Sequence, residues 1–555
     1  MLYRSLIAGL ILTGAAFAQL TSFPKPKYFR ETFNKTVPKV ELQAPAKLKD
    51  FVQGDKLELS LKNYLELVMA NNTDIQIQKL SVELPKNAIM RAFGRWDPTA
   101  SAQFSTTRAT QPVSNLQDTG GTANEVKTLS QPAQFAVTQL LPTGTTYTVG
   151  FNAAKSTTTS SASTYNPSLT SSLNVSFAQP LLQNRGTYVN RLTVAMNRSA
   201  LRGAEYTMKD RIITLVSQAE NAYWDVINAR ENLRVAESAE QTSIKFLDLQ
   251  QRMLELGALS PLDIYQSQQQ VAQRKVDTAQ ARFNLTAVED VLRRQIGVDL
   301  DPDVRKLPIV LTETVDAPVD TKVDREASIE KALAQRPDLR SVLQSLDQDD
   351  LRIEQSRNAL LPNLQLIGGY TSTGRGGIFY PRTQALTPAQ IAAGLVPAPT
   401  TPVPGGFGDA LDQLFNFGFS TYQLGLRLNF PIKSRAASAD MADAVVRKKQ
   451  DTLTLRTTQQ TIRLNVLNAI TNLESSQEAV KLAKVSLDFA QKNLDAANKK
   501  YELGTGLQLD VTNAQDRVVS AESLVVTNQI RLRKNLINLL VTTGNLLEER
   551  GIVIQ

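Results

Sequence analysis

The chain has no cysteine and no histidine among its 555 residues, and only two tryptophans. Without cysteine there is no disulfide framework and no thiolate chemistry. Without histidine there is no imidazole base, no nucleophile–histidine pair, and the commonest zinc ligand is missing. An enzyme built on this sequence would have to run on carboxylates or lysines, yet its acids fall on helix faces and tips. No catalytic residue, cofactor or metal is expected, and no phosphate-cradling glycine motif occurs; Gly405 to Asp409 (GGFGD) reads as loop. Charge of one sign is also scarce: the net +8 is spread over basic residues interleaved with acids, as from Arg230 to Arg252. That pattern is a solvated helix face, and no nucleic acid is expected as a partner. No apolar run reaches the ~18 residues of a spanning helix, so the chain could enter a bilayer only as a β-barrel.

What is present begins with an export signal over residues 1–18: Arg4, the short apolar core Leu6 to Leu12, and the small-x-small site Ala16-Phe17-Ala18. No cysteine follows it, which excludes a lipid anchor of the bacterial lipoprotein kind. Residues 19–56 carry Pro24, Pro26, Pro38 and Pro45 and read as an extended arm. Leu57 to Arg91 reads as a helix with Leu61, Leu65 and Val68 on one face, ending near Trp96-Asp97-Pro98.

The period then changes to two. Ala100, Ala102 and Phe104, then Phe135 and Val137, Tyr147, Val149 and Phe151, and Leu173, Val175 and Phe177 alternate with small polar residues. A turn is expected at Leu141 to Gly144 and a Ser/Thr-rich loop from Lys155 to Thr170. A barrel wall with lipid on one side and water on the other suits this alternation; a soluble β-sandwich would alternate too. After Pro362 the pattern returns with Leu364, Leu366 and Tyr370, then a Gly/Pro-rich loop from Thr373 to Gly408, then Tyr422 to Phe430.

Each strand region leads into a helical pattern close to 70 residues long, about Tyr188 to Leu256 and Ser438 to Leu503, or roughly 105 Å at 1.5 Å per residue. In the second, Ile462, Val466, Ala469, Leu473, Ser476, Val480, Ala483, Leu487, Ala490, Leu494, Ala497 and Tyr501 are spaced alternately four and three. That is a supercoiling seam. The first long helix keeps it, with polar breaks such as Glu240, Ser243 and Gln250. Both helices end in related turns: Glu255-Leu256-Gly257 and Leu262-Asp263 reappear 247 residues on as Glu502-Leu503-Gly504 and Leu509-Asp510. The glycines read as helix C-caps, and the aspartates lie in the first turn of the next helix.

The sequence therefore reads as two internal repeats, 57–297 (strands 99–179, tip turn 257–262) and 324–544 (strands 363–430, tip turn 504–509), with a linker at 298–323 and a tail at 545–555. The first repeat supplies two to four strands and the second supplies two, too few to close a barrel alone.

The motif order resembles the TolC-like outer-membrane efflux protein family. The resemblance runs from about Leu57 to Gly544 and rests on Gln179 to Leu182 (QPLL), Gln335 to Leu339 (QRPDL), Leu361-Pro362 and the two ELG…LD turns. It implies a mostly α fold with a β-barrel part: long helical hairpins forming a periplasmic α-barrel, and strands contributing to a shared trimeric barrel in outer-membrane lipid. It implies a homotrimeric exit duct in the outer membrane, extending into the periplasm. A periplasmic adaptor (membrane fusion) protein would dock at the tips, around Leu256, Gly257, Leu503 and Gly504, and link the duct to an inner-membrane pump. It also implies an acidic lumen gate at Asp510, with Asp263 as counterpart. Asn513 stands where the family has a second aspartate, and Gly506 where well-known members have a latching arginine. Asp263, after Ser260-Pro261-Leu262, also reads as part of a capped helix start, and Asp510 is open between gate and cap. A trimeric coiled-coil protein anchored at the outer membrane without transport is the other reading.

Overall fold

The computed structural model describes residues 46, 48–53, 55–113, 124–257, 263–298, 303–305, 307–315, 322–381, 389 and 401–554. The export signal, nearly all of the extended arm and the turn at 258–262 lie outside them. Residues Lys47–Gln555 form one unit.

The first helical segment is not one helix. Leu57 and Leu59 belong to strand β2 (Lys56–Leu59), which pairs antiparallel with β1 (Val52–Gln53) and parallel with β8 (Ile309–Leu311). The linker expected to be irregular thus contributes a strand. Leu57, Leu59, Ile309 and Leu311 are buried, which is why an extended segment wins here over the helical spacing. The helix starts at α1 (Leu61–Asn71), where the Ser60 hydroxyl accepts the Asn63 N–H at 3.3 Å. Asn72 closes α1 and caps α2 (Thr73–Ser81), its Oδ1 accepting the N–H groups of Asp74 and Ile75. Then comes α3 (Glu83–Phe93).

The strands run further than the alternating residues suggest. They are β3 (Thr99–Phe104), β4 (Thr107–Pro112), β5 (Glu125–Leu140), β6 (Thr146–Thr158), β7 (Tyr165–Pro180), β9 (Asn363–Phe379) and β10 (Phe419–Asn429). Much of the expected Ser/Thr loop is strand, and β9 continues through the first residues of the expected Gly/Pro loop. β-Branched threonine suits a half-exposed pleated surface, and the fit of a residue to a strand depends on its cross-strand neighbours more than on its own preference. The order is β10-β9-β7-β6-β5-β3, with every pair antiparallel. β4 lies beyond β3 on the same edge of β5. The sheet therefore has six strand positions, four from the first region and two from the second. The hairpin β5–β6 turns at Leu141–Thr145, with Gly144 at φ +89°.

From β7 the chain passes through α4 (Gly186–Asn190) into α5 (Leu192–Glu255, 64 residues), then α6 (Asp263–Gln295). From β10 it enters α10 (Arg435–Glu502, 68 residues), then α11 (Gln508–Thr543). Between these pairs lie α7 (Arg325–Gln335), α8 (Pro337–Ala359) and α9 (Phe407–Phe415); α12 (Leu546–Glu549) follows α11. α9 includes most of the GGFGD segment read as loop: Gly406 donates its N–H to Asp409 Oδ2 at 2.7 Å and starts the helix.

The α10 seam is buried from Ile462 through Val466, Ala469, Leu473, Ser476 and Val480 to Ala483. There it packs with Ile329 and Ala332 of α7, Leu339 of α8, and Leu532 and Leu539 of α11. From Leu487 to Tyr501 the same seam is only half-buried. A second core joins Tyr64, Leu67 and Val68 of α1 to Ile212, Val216, Ala219 and Tyr223 of α5. Tyr64 donates to the Ala219 carbonyl, and Tyr223 to the Leu59 carbonyl, both at 3.1 Å. The fully buried Glu220 takes two hydrogen bonds from Arg550, which ties the C-terminal turn to α5.

One buried acid is poorly served. Asp349 of α8 is 3% exposed; Arg352 reaches one of its oxygens at 3.3 Å, and the other has no hydrogen-bond partner. Burial and the facing Asp451 of α10 raise its pKa. A raised folded-state pKa means the fold binds this proton more readily than the unfolded chain. Its contribution is present at low pH and is lost as pH rises through the raised value. Asp349→Asn should raise the melting temperature at neutral pH, and the gain should shrink toward pH 4 in thermal unfolding scans. In the seam, Leu473→Ala should cost about 2–5 kcal/mol, read as a lowered denaturant midpoint.

Candidate functional site

Two regions carry no internal explanation: the two faces of the sheet and the helical tips. Because side chains alternate, strand register decides which residues share a face. One face is crossed by the rows Ser101–Ala136–Gly150–Asn174–Thr371–Thr421 and Thr99–Thr138–Thr148–Ser176–Gly369–Gln423. It is small and polar, and its groups bond one another: Thr138 and Thr148 hydroxyls at 3.0 Å, Asn152 to Asn174 at 3.1 Å. Gly150 leaves the room Asn174 fills, since a Cβ there would lie 2.9 Å from its amide nitrogen.

The other face carries Ala100–Val137–Val149–Val175–Tyr370–Tyr422, Phe135–Phe151–Leu173, and Phe177–Gly368–Leu424, followed by Leu366–Leu426 and Leu364–Leu428. These side chains have little of this chain against them; Tyr422 and Leu424 are 78% and 77% exposed. A contiguous exposed apolar surface of this kind marks a site of contact with something else. Among the described residues, no helix is long and apolar enough to cross a membrane.

At the tips, α5 and α10 end at Gly257 (φ +70°) and Gly504 (φ +72°), both in open space. Gly257 donates to the Leu254 carbonyl and Gly504 to that of Tyr501. Leu256 and Leu503 beside them are 83% and 78% exposed. Gly506 folds back on α10 so closely that a Cβ would lie 2.9 Å from the Tyr501 nitrogen, leaving no room for a longer side chain. Asp510 lies in the first turn of α11, three residues before Asn513, and both are exposed. The N-cap of α11 is Leu507 and no side chain caps the helix, so Asp510 makes no capping hydrogen bond there. Asp263 opens α6; its side chain lies outside the described residues.

Behind the tips, packing turns polar. Gln250 of α5 is fully buried. Its Oε1 accepts from Ser267 of α6 at 2.6 Å and from Gln508 of α11 at 3.0 Å. Two turns further on, Arg274 of α6 is ion-paired with Asp516 of α11, which also accepts from Gln270 at 2.9 Å. These contacts join the first hairpin to the second. Sequence reading missed them, although Gln250 had already shown itself as a polar break in the seam.

A mostly helical chain with two long helical hairpins, joined to a sheet with one apolar and one polar face, defines the fold of the outer-membrane channel class. Its likeness to solved structures is to proteins of that class: CusC (TM-score 0.60, 13% identity, covering 92% of this chain and 99% of that one) and the Campylobacter jejuni CmeC outer membrane channel (0.59, 16%, 92% and 94%). Residues 328–545 match the family model described as "Outer membrane efflux protein". The Outer membrane protein TolC of Vibrio cholerae is 27% identical over 199 residues, 36% of this chain and 43% of that relative's length. Residues 328–545 are thus similar to an outer membrane efflux protein domain, and the chain is similar over part of its length to TolC.

The tip contacts yield a direct expectation. Asp516 is nearly half exposed, so solvent discounts its ion pair, and Arg274→Ala should cost about 1 kcal/mol locally. Hydrogen exchange should show several-fold faster exchange in α6 and α11 around residues 267–277 and 508–516, with the seam around Leu473 unchanged.

Proposed function

We propose that the chain is a passive exit duct: an outer-membrane channel of a tripartite efflux or type I secretion system, homotrimeric, performing no chemistry. The observation that carries this reading is the registered pair of faces. The apolar face suits outer-membrane lipid and the polar face suits a water-filled lumen. Six strands cannot form a spanning barrel, but three protomers at six strands each give eighteen, an even number within the range such barrels use. Barrel diameter grows roughly linearly with strand number, so the bore at the wall is about one and a half times that of a twelve-stranded barrel.

The helical hairpins, of roughly 100 Å at 1.5 Å per residue, extend this duct into the periplasm. Exposed Leu256 and Leu503, beside Gly257 and Gly504, offer the apolar contacts an adaptor would take, and the adaptor links the duct to an inner-membrane pump. Asp510 supplies a ring of three carboxylates at the lumen gate, with uncharged Asn513 one turn on; Asp263 is its counterpart in the first hairpin. The polar layer of Gln250, Ser267 and Gln508 suits a movable end, because polar contacts exchanged for water on opening cost less than buried leucines.

Single-channel conductance in planar bilayers tests this. Purified trimer should give a small, cation-preferring conductance, and Asp510→Ala should reduce the cation preference. Arg274→Ala should raise the open probability. A folded trimer that conducts nothing, even with Arg274 removed, would sink the duct and favour a coiled-coil anchor without transport.

A further inference from the structure

The helix α9 (Phe407–Phe415) is the one element that the described residues place on the apolar face of the sheet. Ser171 donates to the Ala410 carbonyl and Ser372 to the Leu414 carbonyl, both at 2.8 Å. Ser171 shares its face of β7 with Leu173 and Val175, and Ser372 shares its face of β9 with Tyr370, so both contacts are on the face carrying Leu424 and Tyr422. The seat is cut for the helix. A Cβ at Gly374 would lie 1.9 Å from the Ala410 oxygen, and one at Gly376 2.0 Å from the Gly406 oxygen. Ala410 and Leu414 are buried against the strands.

The seat has a definite depth. β9 leaves the helical part at Asn363, and its apolar-face residues are Leu364, Leu366, Gly368 and Tyr370 before the small ones begin at Ser372. From Leu364 to Ser372 the strand advances roughly 26 Å at about 3.3 Å per residue, or about 20 Å of depth at a ~40° tilt, within the ~25 Å apolar band of a barrel. On β9 the large apolar side chains give way to Ser372, Gly374 and Gly376 where α9 begins, and α9 presents its own. Phe407 and Phe415 are exposed, and Phe417 beyond them stacks at 6.2 Å from Tyr370. Asp409 and Asp412 take bonds from Gly406 and Asn416 within the helix and its caps. On the same face, the exposed Lys155 lies in the row of Leu169 and Gly376, past the apolar band.

We infer that α9 is an interfacial helix. It is seated on the lipid side of the wall at the outer rim, with Phe407 and Phe415 in the boundary between acyl chains and headgroups. Its occupant is the outer leaflet itself, because its exposed aromatics continue the apolar belt at the level where aromatic girdles form. This rests on the reading of the apolar face as lipid-facing. Its consequence is that the helix fixes the depth at which the wall rides.

The test uses the full-length protein in vesicles of phosphatidylcholine and phosphatidylglycerol, with bromines placed near either the headgroup end or the methyl end of the acyl chains. Phe415→Trp and Phe407→Trp report on α9 and Leu424→Trp on the mid-wall, each measured against the wild-type emission of Trp96 and Trp224. The expected result is that the α9 probes lose most of their emission to shallow bromines and less to deep ones, while Leu424→Trp shows the reverse. If Leu424→Trp is quenched and neither α9 probe is, the helix faces water or a protein surface, and the inference is overturned. If no probe is quenched, the lipid-facing reading of the wall falls as well, and this inference with it.

Discussion

An apolar sheet face with little of this chain packed against it is the constraint from which the rest follows. Valines, leucines and aromatics stand in register across six strands, and among the described residues only α9 lies on them. Among the described residues the two edges are open as well: β10 pairs with β9 alone, and β3 and β4 with β5 alone. An open edge of this length invites pairing with another chain, and no open edge survives in lipid. Because all pairs are antiparallel and the strand positions are even in number, the outer strands run in opposite directions. Edge can therefore meet edge between identical copies without breaking the alternation. Closure by rotation answers the bare edges and lipid answers the bare face, which is why the proposed trimeric barrel is an economical reading.

The helices obey a different rule. Midway along the long helices their contacts are apolar and buried, around Leu473 and Val466 in one core and Tyr64 and Tyr223 in the other. Toward the tips the seam of α10 becomes half-buried, and Gln250, Ser267, Gln508, Arg274 and Asp516 take over. A hairpin packed with leucine to its end would be rigid throughout. One that exchanges leucine for glutamine over its last turns keeps a stable base and a tip that opens at smaller cost. The same gradient is a property of packing alone, and it would serve any function that needs a movable end on a fixed stalk.

The long helices, the second tip turn and most strand cores were legible in the sequence, the helices and strands because each is a sustained periodic signal. The seam from Ile462 to Ala483 is buried as its spacing required. The start of the chain was not. Leu57 and Leu59 fit a helix with Leu61 and Leu65, and only pairing with Ile309 and Leu311, some 250 residues away, makes them a strand. Strand ends were underestimated because Ser168 to Ser172 and Thr371 to Thr373 look like loop when read alone. α9 was missed for a related reason: its nine residues follow a run of glycine and proline, and its amphipathic pattern has meaning only beside a sheet with matching glycines. For the tip residues, type and spacing put Asp510 and Asn513 one turn apart, which the helix preserves. Arg274 and Asp516 lie 242 residues apart, and no local pattern could have paired them.

The two extra strands raise a problem of joining that the structure solves at one turn. Four helices meet the sheet at this end, α3 and α8 leading into it and the long α5 and α10 leading out, but there are six strand positions, so two must turn back at the junction. The turn Leu141–Thr145 does this, and it is wedged rather than free. A Cβ on Gly144 would lie 2.4 Å from the Asn184 carbonyl oxygen and 2.8 Å from the Asn190 amide nitrogen. Gly186 donates to the Thr143 carbonyl at 3.1 Å, Asn190 donates to Asn184 at 2.7 Å, and Asn184 and Asn358 exchange hydrogen bonds at 2.8 and 2.9 Å. The β5–β6 hairpin is thus fastened to the point where β7 passes into α5 and α8 passes into β9. A hairpin merely inserted in a wall would leave its inner turn in solvent. This one is bound into the junction between strands and helices, at the entry to α5 and the end of α8.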